Sequence, residues 1–197
     1  MKKAFFFDRD GAINNSIYRF ENEYNKNMDC APIKVEDLKL IEGIKDTLDK
    51  IKEKGFIPII ITNQPDFLKK DLLLKEYERI TTKICSELGI ERSQIFECFH
   101  KEGFSSKCKC RKPEPGLFFM AKGMYDIDLE NSWMIGDSWK DIAAADKAGI
   151  KNTIFLKRPK IENQQEGNEE SIVKMSEMDL KPKHLIEDIK EIVNFIK

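Results

Sequence analysis

Short apolar runs alternate along this chain with segments whose apolar residues recur at helical spacing. The runs are Ala4 to Phe7, Phe56 to Ile61, Ile95-Phe96, Trp133 to Ile135 and Thr153 to Leu156. Continuous runs of this length are typical of strands that are buried on both faces. Helical spacing recurs around Ile41–Ile51, Lys69–Leu88, from Pro115-Gly116 onward and at Ile142–Ala148. The alternation predicts an α/β fold: a Rossmann-like, doubly wound, mostly parallel sheet with helices on both faces.

The chain of 197 residues is long enough for one well-buried domain and too short for two comfortable ones. We find no internal repeat and no linker, so we expect a single domain over residues 1–197. Residues 160–182 are polar and strand-poor, which favours a surface excursion. The last stretch, 183–197, carries apolar residues at helical spacing and is predicted to be a helix docked on the core. Those residues are Leu185, Ile186, Ile189, Ile192, Val193 and Ile196.

Composition excludes several classes of partner. Hydrophobic residues make up 41% of the chain and charged residues 35%, as in a globular protein. Thirty-four basic and 35 acidic side chains leave a net charge of −1, so no global field favours nucleic acid or an anionic membrane. No apolar run approaches the about 20 residues of a membrane span, and the first residues do not resemble a secretory signal. We therefore expect a cytoplasmic protein, monomeric by default.

Polar residues follow three of the predicted strands at the point where each strand ends. Asp8 follows the first run and Thr62 follows the second. Asp137 is separated by one residue from the run that ends at Ile135. Ligands of open parallel sheets bind beyond the carboxyl ends of the strands. The three side chains are therefore predicted to meet at one edge of the sheet.

Two pairs of carboxylates suggest a divalent cation at that edge. Asp8 and Asp10 stand two residues apart and project to the same side, and Asp137 and Asp141 add two further acids. Neighbouring carboxylates repel each other unless a cation or a proton relieves them. An oxygen-rich acidic cluster suits Mg²⁺, and Lys112 with the Thr62 hydroxyl would complete a site for a phosphoryl group.

Cysteine and histidine residues form a second candidate metal site. Cys98, His100, Cys108 and Cys110 supply four soft ligands within thirteen residues. Cys₃His is a common tetrahedral zinc set, and four protein ligands leave no open position for catalysis. The sequence therefore favours a structural Zn²⁺ in a loop over 98–110. The alternatives are unligated thiols, or one disulfide beside a chance histidine.

The ordered motifs DRDG at Asp8, Thr62-Asn63, Lys112-Pro113 and GDSWKD at Asp137 resemble the haloacid dehalogenase superfamily of phosphatases. The resemblance implies that Asp8 is the nucleophile and Asp10 the general acid and base. It also implies that Thr62 and Lys112 hold the phosphoryl oxygens. Mg²⁺ would bind the carboxylates of Asp8 and Asp137 and the backbone carbonyl of Asp10, with Asp141 orienting Lys112 or a metal-bound water. A segment at about 12–40 takes the place of the superfamily's small flap, or minimal cap.

The CxH and CxC pairs that run into Arg111-Lys112-Pro113 narrow the resemblance. They look like the D-glycero-D-manno-heptose 1,7-bisphosphate phosphatase group and the related histidinol-phosphate phosphatases. The resemblance implies a small sugar phosphate as substrate, of the heptose 1,7-bisphosphate type. Its candidate substrate-binding residues are Asn14, Asn63, Gln64, Arg111 and Ser138. The chain departs from the heptose group in a shorter spacer between CxH and CxC, in Ser138-Trp139 where lysine is usual, and in a longer segment over 15–40.

The sequence leaves other functions open. A histidinol-phosphate or other phosphomonoester phosphatase would use acidic flap residues such as Glu21 or Glu23. A nucleic-acid 3′-phosphatase is disfavoured, because the sequence shows neither a basic stripe nor an aromatic stacking platform. An inactive binding module that keeps the fold is disfavoured by the intact set of Asp8, Asp10, Lys112 and Asp137.

Overall fold

The computed structural model describes residues 1–21, 26–65, 67, 71–100, 108–158 and 168–196. Six parallel strands form one sheet: β1 (Lys3–Phe7), β4 (Phe56–Asn63), β5 (Ile95–Cys98), β6 (Trp133–Gly136), β7 (Asn152–Leu156) and β8 (His184–Ile186). Their order across the sheet is β5-β4-β1-β6-β7-β8. Two further strands, β2 (Ile17–Glu21) and β3 (Lys26–Cys30), pair with each other as an antiparallel hairpin.

Five α-helices accompany the sheet in the part of the chain that the structure describes. They are α1 (Ile44–Glu53), α2 (Asp71–Leu88), α3 (Gly116–Tyr125), α4 (Trp139–Lys147) and α5 (Glu169–Glu177). Short 3₁₀ turns lie at Val35–Asp37, Arg92–Gln94 and Ile189–Asn194. Among the described residues, no helix combines the length and the apolar character that crossing a bilayer requires. The predicted doubly wound α/β fold is confirmed.

Each strand buries alternate residues on opposite faces of the sheet. In β1, Phe5 and Phe7 pack with α1 and α2, whereas Ala4 and Phe6 pack with residues of α3 and α4. Successive side chains of a strand point to opposite faces, so a strand covered by helices on both sides must be apolar throughout. This explains the unbroken run from Ala4 to Phe7, all four of which are fully buried.

The hairpin of β2 and β3 lies within the segment expected to form the flap. Its register runs from Ile17 opposite Cys30 to Glu21 opposite Lys26. Glu23, one of the two acidic residues proposed for an alternative substrate, lies outside the described residues, as do the spacer residues 101–107 of the metal-binding loop. The base of the hairpin is fixed to the chain that leads into α1, because the Asn15 N–H donates to the Lys39 carbonyl at 2.8 Å.

The predicted C-terminal helix over 183–197 is wrong. Residues His184–Ile186 form β8 instead, and a 3₁₀ turn follows at Ile189–Asn194. The free edge of β7 explains the difference, because pairing with β8 satisfies backbone groups that would otherwise remain open. Docking on the core is nevertheless observed for four of the apolar residues, whereas Leu185 is 51% exposed. The buried ones are Ile186, Ile189, Ile192 and Ile196.

The expected surface excursion is only partly observed. Residues 160–167 of it lie outside the described part of the chain, and the remainder contains α5. Met175 of α5 is buried against Ile142 of α4 and Phe155 of β7. Together with the partly buried Ile172, this residue attaches the polar helix to the sheet's outer layer.

Candidate active site and metal-binding loop

The carboxyl edge of the sheet brings together an acidic cluster at the ends of β1 and β6. Carboxylate oxygens of Asp8, Asp137 and Asp141 all lie within 4.8 Å of one another. The cluster is almost closed to solvent, with side-chain exposures of 14% for Asp8 and 1% for Asp141. Burial, followed by the charge of Asp141, raises the pKa of Asp8 well above its usual value. Burial also raises the pKa of Asp137 to about 7, although Arg158 opposes this shift.

Lys112 is the central base of the cluster. Its Nζ lies 2.7 Å from Oδ1 of Asp8 and 2.6 Å from Oδ1 of Asp141, and it donates to the carbonyl of Ile61 at 3.0 Å. Although burial opposes its charge, the carboxylates of Asp141 and Asp8 raise the pKa of Lys112. A permanently charged lysine at this point can neutralise a phosphoryl group that is bound to Asp8.

Asp141 also lies in the first turn of α4. Its Oδ2 accepts from the main-chain N–H of Ser138, while the Ser138 hydroxyl accepts from Lys140, a reciprocal cap. The cap fixes the Asp141 side chain, so its other oxygen can hold Lys112. Ser138 thus serves as the N-cap in this structure, and its role towards substrate stays a prediction.

Asp10 is held by three neighbouring side chains. Asn14 donates to its Oδ1 at 2.9 Å and Gln64 to its Oδ2 at 2.6 Å. Gln64 also donates to the Thr62 hydroxyl at 2.7 Å, and Nη2 of Arg9 lies 3.2 Å from Oδ2 of Asp10. These contacts fix the position of the carboxylate two residues from Asp8. They assign Asn14 and Gln64 to positioning Asp10, and a direct contact with substrate stays a prediction for both.

Asn63 and Arg111 make backbone contacts that hold Lys112 and its neighbour in place. Asn63 donates from Nδ2 to the Lys112 carbonyl at 3.1 Å and accepts from the Lys112 N–H at 3.0 Å. Arg111 donates from Nη1 to the carbonyl of His100 at 3.0 Å. The two bonds of Asn63 attach Lys112 to the end of β4. The bond of Arg111 attaches the preceding residue to the metal-binding loop. The predicted substrate contacts of Asn63 and Arg111 are not tested by this geometry.

The charges at this edge do not balance. Asp8, Asp10, Asp137 and Asp141 face three bases, Arg9, Lys112 and Arg158. One negative charge remains in excess in a largely buried region, which is unfavourable unless a cation is bound. Oxygen ligands and a nearby phosphate site suit Mg²⁺. The donor set therefore fits the predicted metal, with Asp8 and Asp137 as its carboxylate ligands.

The cysteine and histidine residues of the loop also converge. The Sγ atoms lie 3.8 Å apart for Cys98 and Cys108, and 3.3 Å apart for Cys108 and Cys110. The Sγ atoms of Cys110 and Cys98 lie 3.2 Å apart, and Nδ1 of His100 lies 3.3–3.4 Å from all three sulfurs. A tetrahedral zinc ion would separate its ligands by about 3.6–3.8 Å. A disulfide needs about 2.05 Å, so no two of these sulfurs are bonded.

The thiols of the loop crowd one another. Burial, and then the neighbouring thiols of Cys98 and Cys108, raise the pKa of Cys110 to about 12. A cation that joins such thiols favours their thiolate forms. The cluster is therefore compatible with a zinc-binding site.

Three residues of this region were not identified from the sequence. Arg9 is fully buried, with its guanidinium 5.3 Å from the ring of Tyr77, and nothing in a DRDG motif signals that burial. Arg158 contacts Asp137 at 2.6 Å, and Asn168 donates to the Asp137 carbonyl at 2.6 Å. Arg158 stands two residues after β7, close enough to the strand end for the rule that identified Asp8 to have included it. Asn168 is far from any strand end and carried no such signal.

The fold and the site are those of a phosphatase that acts on a phosphate ester. The sequence profile of the haloacid dehalogenase-like hydrolases matches residues 8–149, and a second HAD-hydrolase-like profile matches residues 109–192. The chain belongs to the haloacid dehalogenase-like hydrolase family.

Similar proteins share a common description. A D-glycero-beta-D-manno-heptose-1,7-bisphosphate 7-phosphatase of Haemophilus ducreyi is 29% identical over 92% of this chain and 97% of its own length. The Helicobacter pylori protein of the same name is 34% identical over 78% of this chain and 83% of its own. A Photorhabdus laumondii relative named for the alpha anomer is 32% identical over 79% and 82%.

A solved structure has the same fold. The D,D-heptose 1,7-bisphosphate phosphatase from B. bronchiseptica, crystallised with magnesium and phosphate, superposes with a TM-score of 0.70. The two sequences are 21% identical, and the match covers 98% of this chain and 97% of that one. At this identity the likeness concerns the fold.

Proposed function

We propose that this chain is a Mg²⁺-dependent phosphatase that removes the 7-phosphate of a D-glycero-D-manno-heptose 1,7-bisphosphate. The observation that supports the chemistry best is the contact of Lys112 with Asp8 inside a buried cluster of three carboxylates. The heptose substrate is proposed because relatives of that name match most of this chain, at up to 34% identity.

Asp8 would act as the nucleophile. One of its carboxylate oxygens attacks phosphorus to form an aspartyl-phosphate, and the bond from phosphorus to the sugar oxygen breaks. Asp10 gives its proton to that leaving oxygen, so the sugar departs as an alcohol. Asp10 then takes a proton from water as the water attacks phosphorus, which frees inorganic phosphate and restores Asp8.

The surrounding residues would orient this chemistry. Lys112 and the Thr62 hydroxyl neutralise and hold phosphoryl oxygens, while Gln64 and Asn14 keep Asp10 in reach of the leaving group. Phosphatases of this family use Mg²⁺, which supplies positive charge to the developing phosphoryl transition state. Asp8 and Asp137 would bind it together with the Asp10 carbonyl, and Asp141 would orient Lys112.

The second metal is proposed to be a structural zinc. Cys98, His100, Cys108 and Cys110 would fill all four of its positions, which leaves none for substrate. The loop that they form ends two residues before Lys112. We therefore assign the ion to holding the loop rather than to the reaction. A cytoplasmic location and a monomeric state stay predictions.

Phosphate release from a panel of substrates tests the proposal. The panel contains both anomers of the heptose bisphosphate, histidinol phosphate and several sugar monophosphates, each with Mg²⁺ and with a chelator. We expect one heptose bisphosphate anomer to be preferred by about 100-fold in kcat/KM, and activity to disappear with chelator. A preference for histidinol phosphate would contradict the substrate and leave the reaction class intact.

Asp8→Asn tests the covalent step. The variant removes the nucleophile while keeping the shape of the side chain, so turnover is expected to vanish with the fold retained in circular dichroism. Asp46→Asn, an exposed acid on α1, is the matched control and should keep full activity. Turnover by the Asp8 variant would refute the aspartyl-phosphate intermediate.

A further inference from the structure

Arg158 reaches from the end of β7 into the acidic cluster. Its Nε lies 2.6 Å from Oδ2 of Asp137, and its side chain is 27% exposed. The exposed part lines a cleft of about 890 Å³ that also borders Gly11 of the DRDG motif. Arg158 therefore stands between the metal ligands and the open space beside them.

The contact between Arg158 and Asp137 is built by a buried asparagine. Oδ1 of Asn168 accepts a hydrogen bond from the main-chain N–H of Arg158 at 2.9 Å. Its Nδ2 donates to the carbonyls of Asp137 at 2.6 Å and Leu156 at 2.8 Å. One side chain thus ties the backbones of both partners together, and its own exposure is only 8%. This arrangement separates the pair from an incidental surface ion pair.

The charge of Arg158 has opposite effects on the binding of Mg²⁺ and of phosphate at the proposed site. It lies against a carboxylate that is proposed to bind Mg²⁺, so it competes with that cation. Asp8, Asp137 and Asp141 with Lys112 and Arg158 carry a net charge of −1, which becomes +1 with Mg²⁺ and −1 again with a phosphate dianion. The cationic side chain therefore disfavours the metal alone and favours the metal together with phosphate.

We propose that Arg158 is an anion-binding residue of the active site that pairs with Asp137 before Mg²⁺ binds and with the phosphoryl group afterwards. It rests on the proposed function, because it takes Asp137 as a ligand of Mg²⁺. The consequence is a coupling between the two affinities. Bound Mg²⁺ frees Arg158 and so strengthens phosphate binding, and bound phosphate strengthens Mg²⁺ binding by the same factor. Arg158 thereby makes an empty metal site less attractive to the cation than a site that holds phosphate.

Isothermal titration calorimetry with MgCl₂ and with inorganic phosphate tests this inference without any turnover. Arg158→Gln keeps the length of the side chain and removes its charge. We expect its Kd for Mg²⁺ alone to fall about tenfold, and its Kd for phosphate at saturating Mg²⁺ to rise about tenfold, because a unit charge at this distance is worth about that much in a partly exposed site. Arg158→Lys should restore most of both values.

Lys157→Ala is the matched control. Lys157 is the preceding residue, lines the same cleft and pairs with Glu187 at 3.0 Å rather than with an acid of the cluster. Both of its dissociation constants should stay within about twofold of the wild type, since that ion pair is exposed. Equal changes in the two variants would mean a general effect of cleft charge and would overturn the role of Arg158.

The possible results separate this inference from the proposed function. Weaker or unchanged Mg²⁺ binding by Arg158→Gln overturns the inference, as does unchanged phosphate binding. If the wild type itself binds no Mg²⁺ or hydrolyses no phosphate ester, the proposed function fails instead. Thermal unfolding of each variant checks the fold, and the comparison of Arg158→Lys with the wild type decides the question if the glutamine variant does not fold. If the glutamine variant does not fold, a folded lysine variant that lacks the coupling overturns the inference, because lysine keeps the charge.

Discussion

At the scale of single residues, two glycines let the backbone approach the acidic cluster. A Cβ atom on Gly11 would lie 2.1 Å from Oδ2 of Asp137, and one on Gly136 would lie 2.3 Å from Oδ2 of Asp141. Gly11 also has a φ of +99°, a conformation that side chains rarely adopt. Both positions therefore need glycine because a carboxylate occupies the space of a side chain.

Gly11→Ala should disable the site. The added methyl group must displace Asp137, so we expect Mg²⁺ to bind more weakly and kcat to fall by at least about 100-fold, the usual effect of a small misplacement. Gly55→Ala is the control, because Gly55 has a φ of +81° with nothing within 4 Å of the added atom. It should lose about 1 kcal/mol of stability and no activity. Equal losses of activity in both variants would assign the effect to backbone strain alone.

At the scale of elements, the metal-binding loop connects three parts of the fold. The Gln64 N–H after β4 donates to the Cys98 carbonyl at 2.7 Å, and the Gly116 N–H at the start of α3 donates to the Lys109 carbonyl at 2.8 Å. The ring of Phe99 meets Tyr77 of α2 edge-on, with centroids 5.1 Å apart. Gln64 in turn holds Asp10, so disorder in the loop should reach the residues that are proposed to be catalytic.

Cys108→Ser should remove the second metal and most of the activity. Three remaining ligands bind zinc more weakly, so metal analysis of the purified variant should show zinc falling from about one equivalent to a small fraction. We expect kcat to fall about tenfold or more, because the chain that leads to Lys112 loses its support. Cys85→Ser, a half-buried thiol of α2 outside the cluster, should retain full zinc and activity. Full zinc occupancy in the Cys108 variant would exclude the proposed ligand set.

At the scale of the whole molecule, aromatic stacking joins the end of the chain to the sheet. The ring of His184 in β8 stacks on Trp133 of β6 at 5.8 Å and on Phe195 at 4.0 Å. Burial, followed by the charge of Lys183, lowers the pKa of His184. The unfolded chain therefore takes up a proton at a higher pH than the folded protein does.

This histidine should make the fold less stable in mild acid. Because the pKa of His184 is lower in the folded state, its contribution is complete above the ordinary value of about 6.5 and is lost as the pH falls below it. Urea unfolding at pH 7.5 and pH 5.5 should show a larger loss of unfolding free energy in the wild type than in His184→Gln. Comparing the two proteins cancels the effect of His100, which both retain. An identical loss in both would show that His184 does not contribute.

The meeting of Asp8 and Asp137 at one edge of the sheet could be predicted because its signals are local. Asp8, Asp137 and Thr62 stand at the ends of apolar runs, and parallel strands with helices between them place such ends at one edge. The cluster of Cys98, His100, Cys108 and Cys110 could also be predicted from spacing and residue type alone. The substrate could not be inferred in this way, since it depends on side chains from separate loops.

Other features depended on contacts between segments far apart in the chain. The apolar spacing of 183–197 is compatible with a helix, but the open edge of β7 makes a strand more favourable there. The burial of Arg9 against Tyr77 needs two distant elements to meet, and the attachment of Arg158 to Asp137 by Asn168 needs three. The sequence by itself determined the layers of the fold and which side chains stand at the strand ends, because periodicity and strand ends are local properties. Only the tertiary structure decided which charges those groups face, because a side chain's partners come from whatever the packing brings beside it.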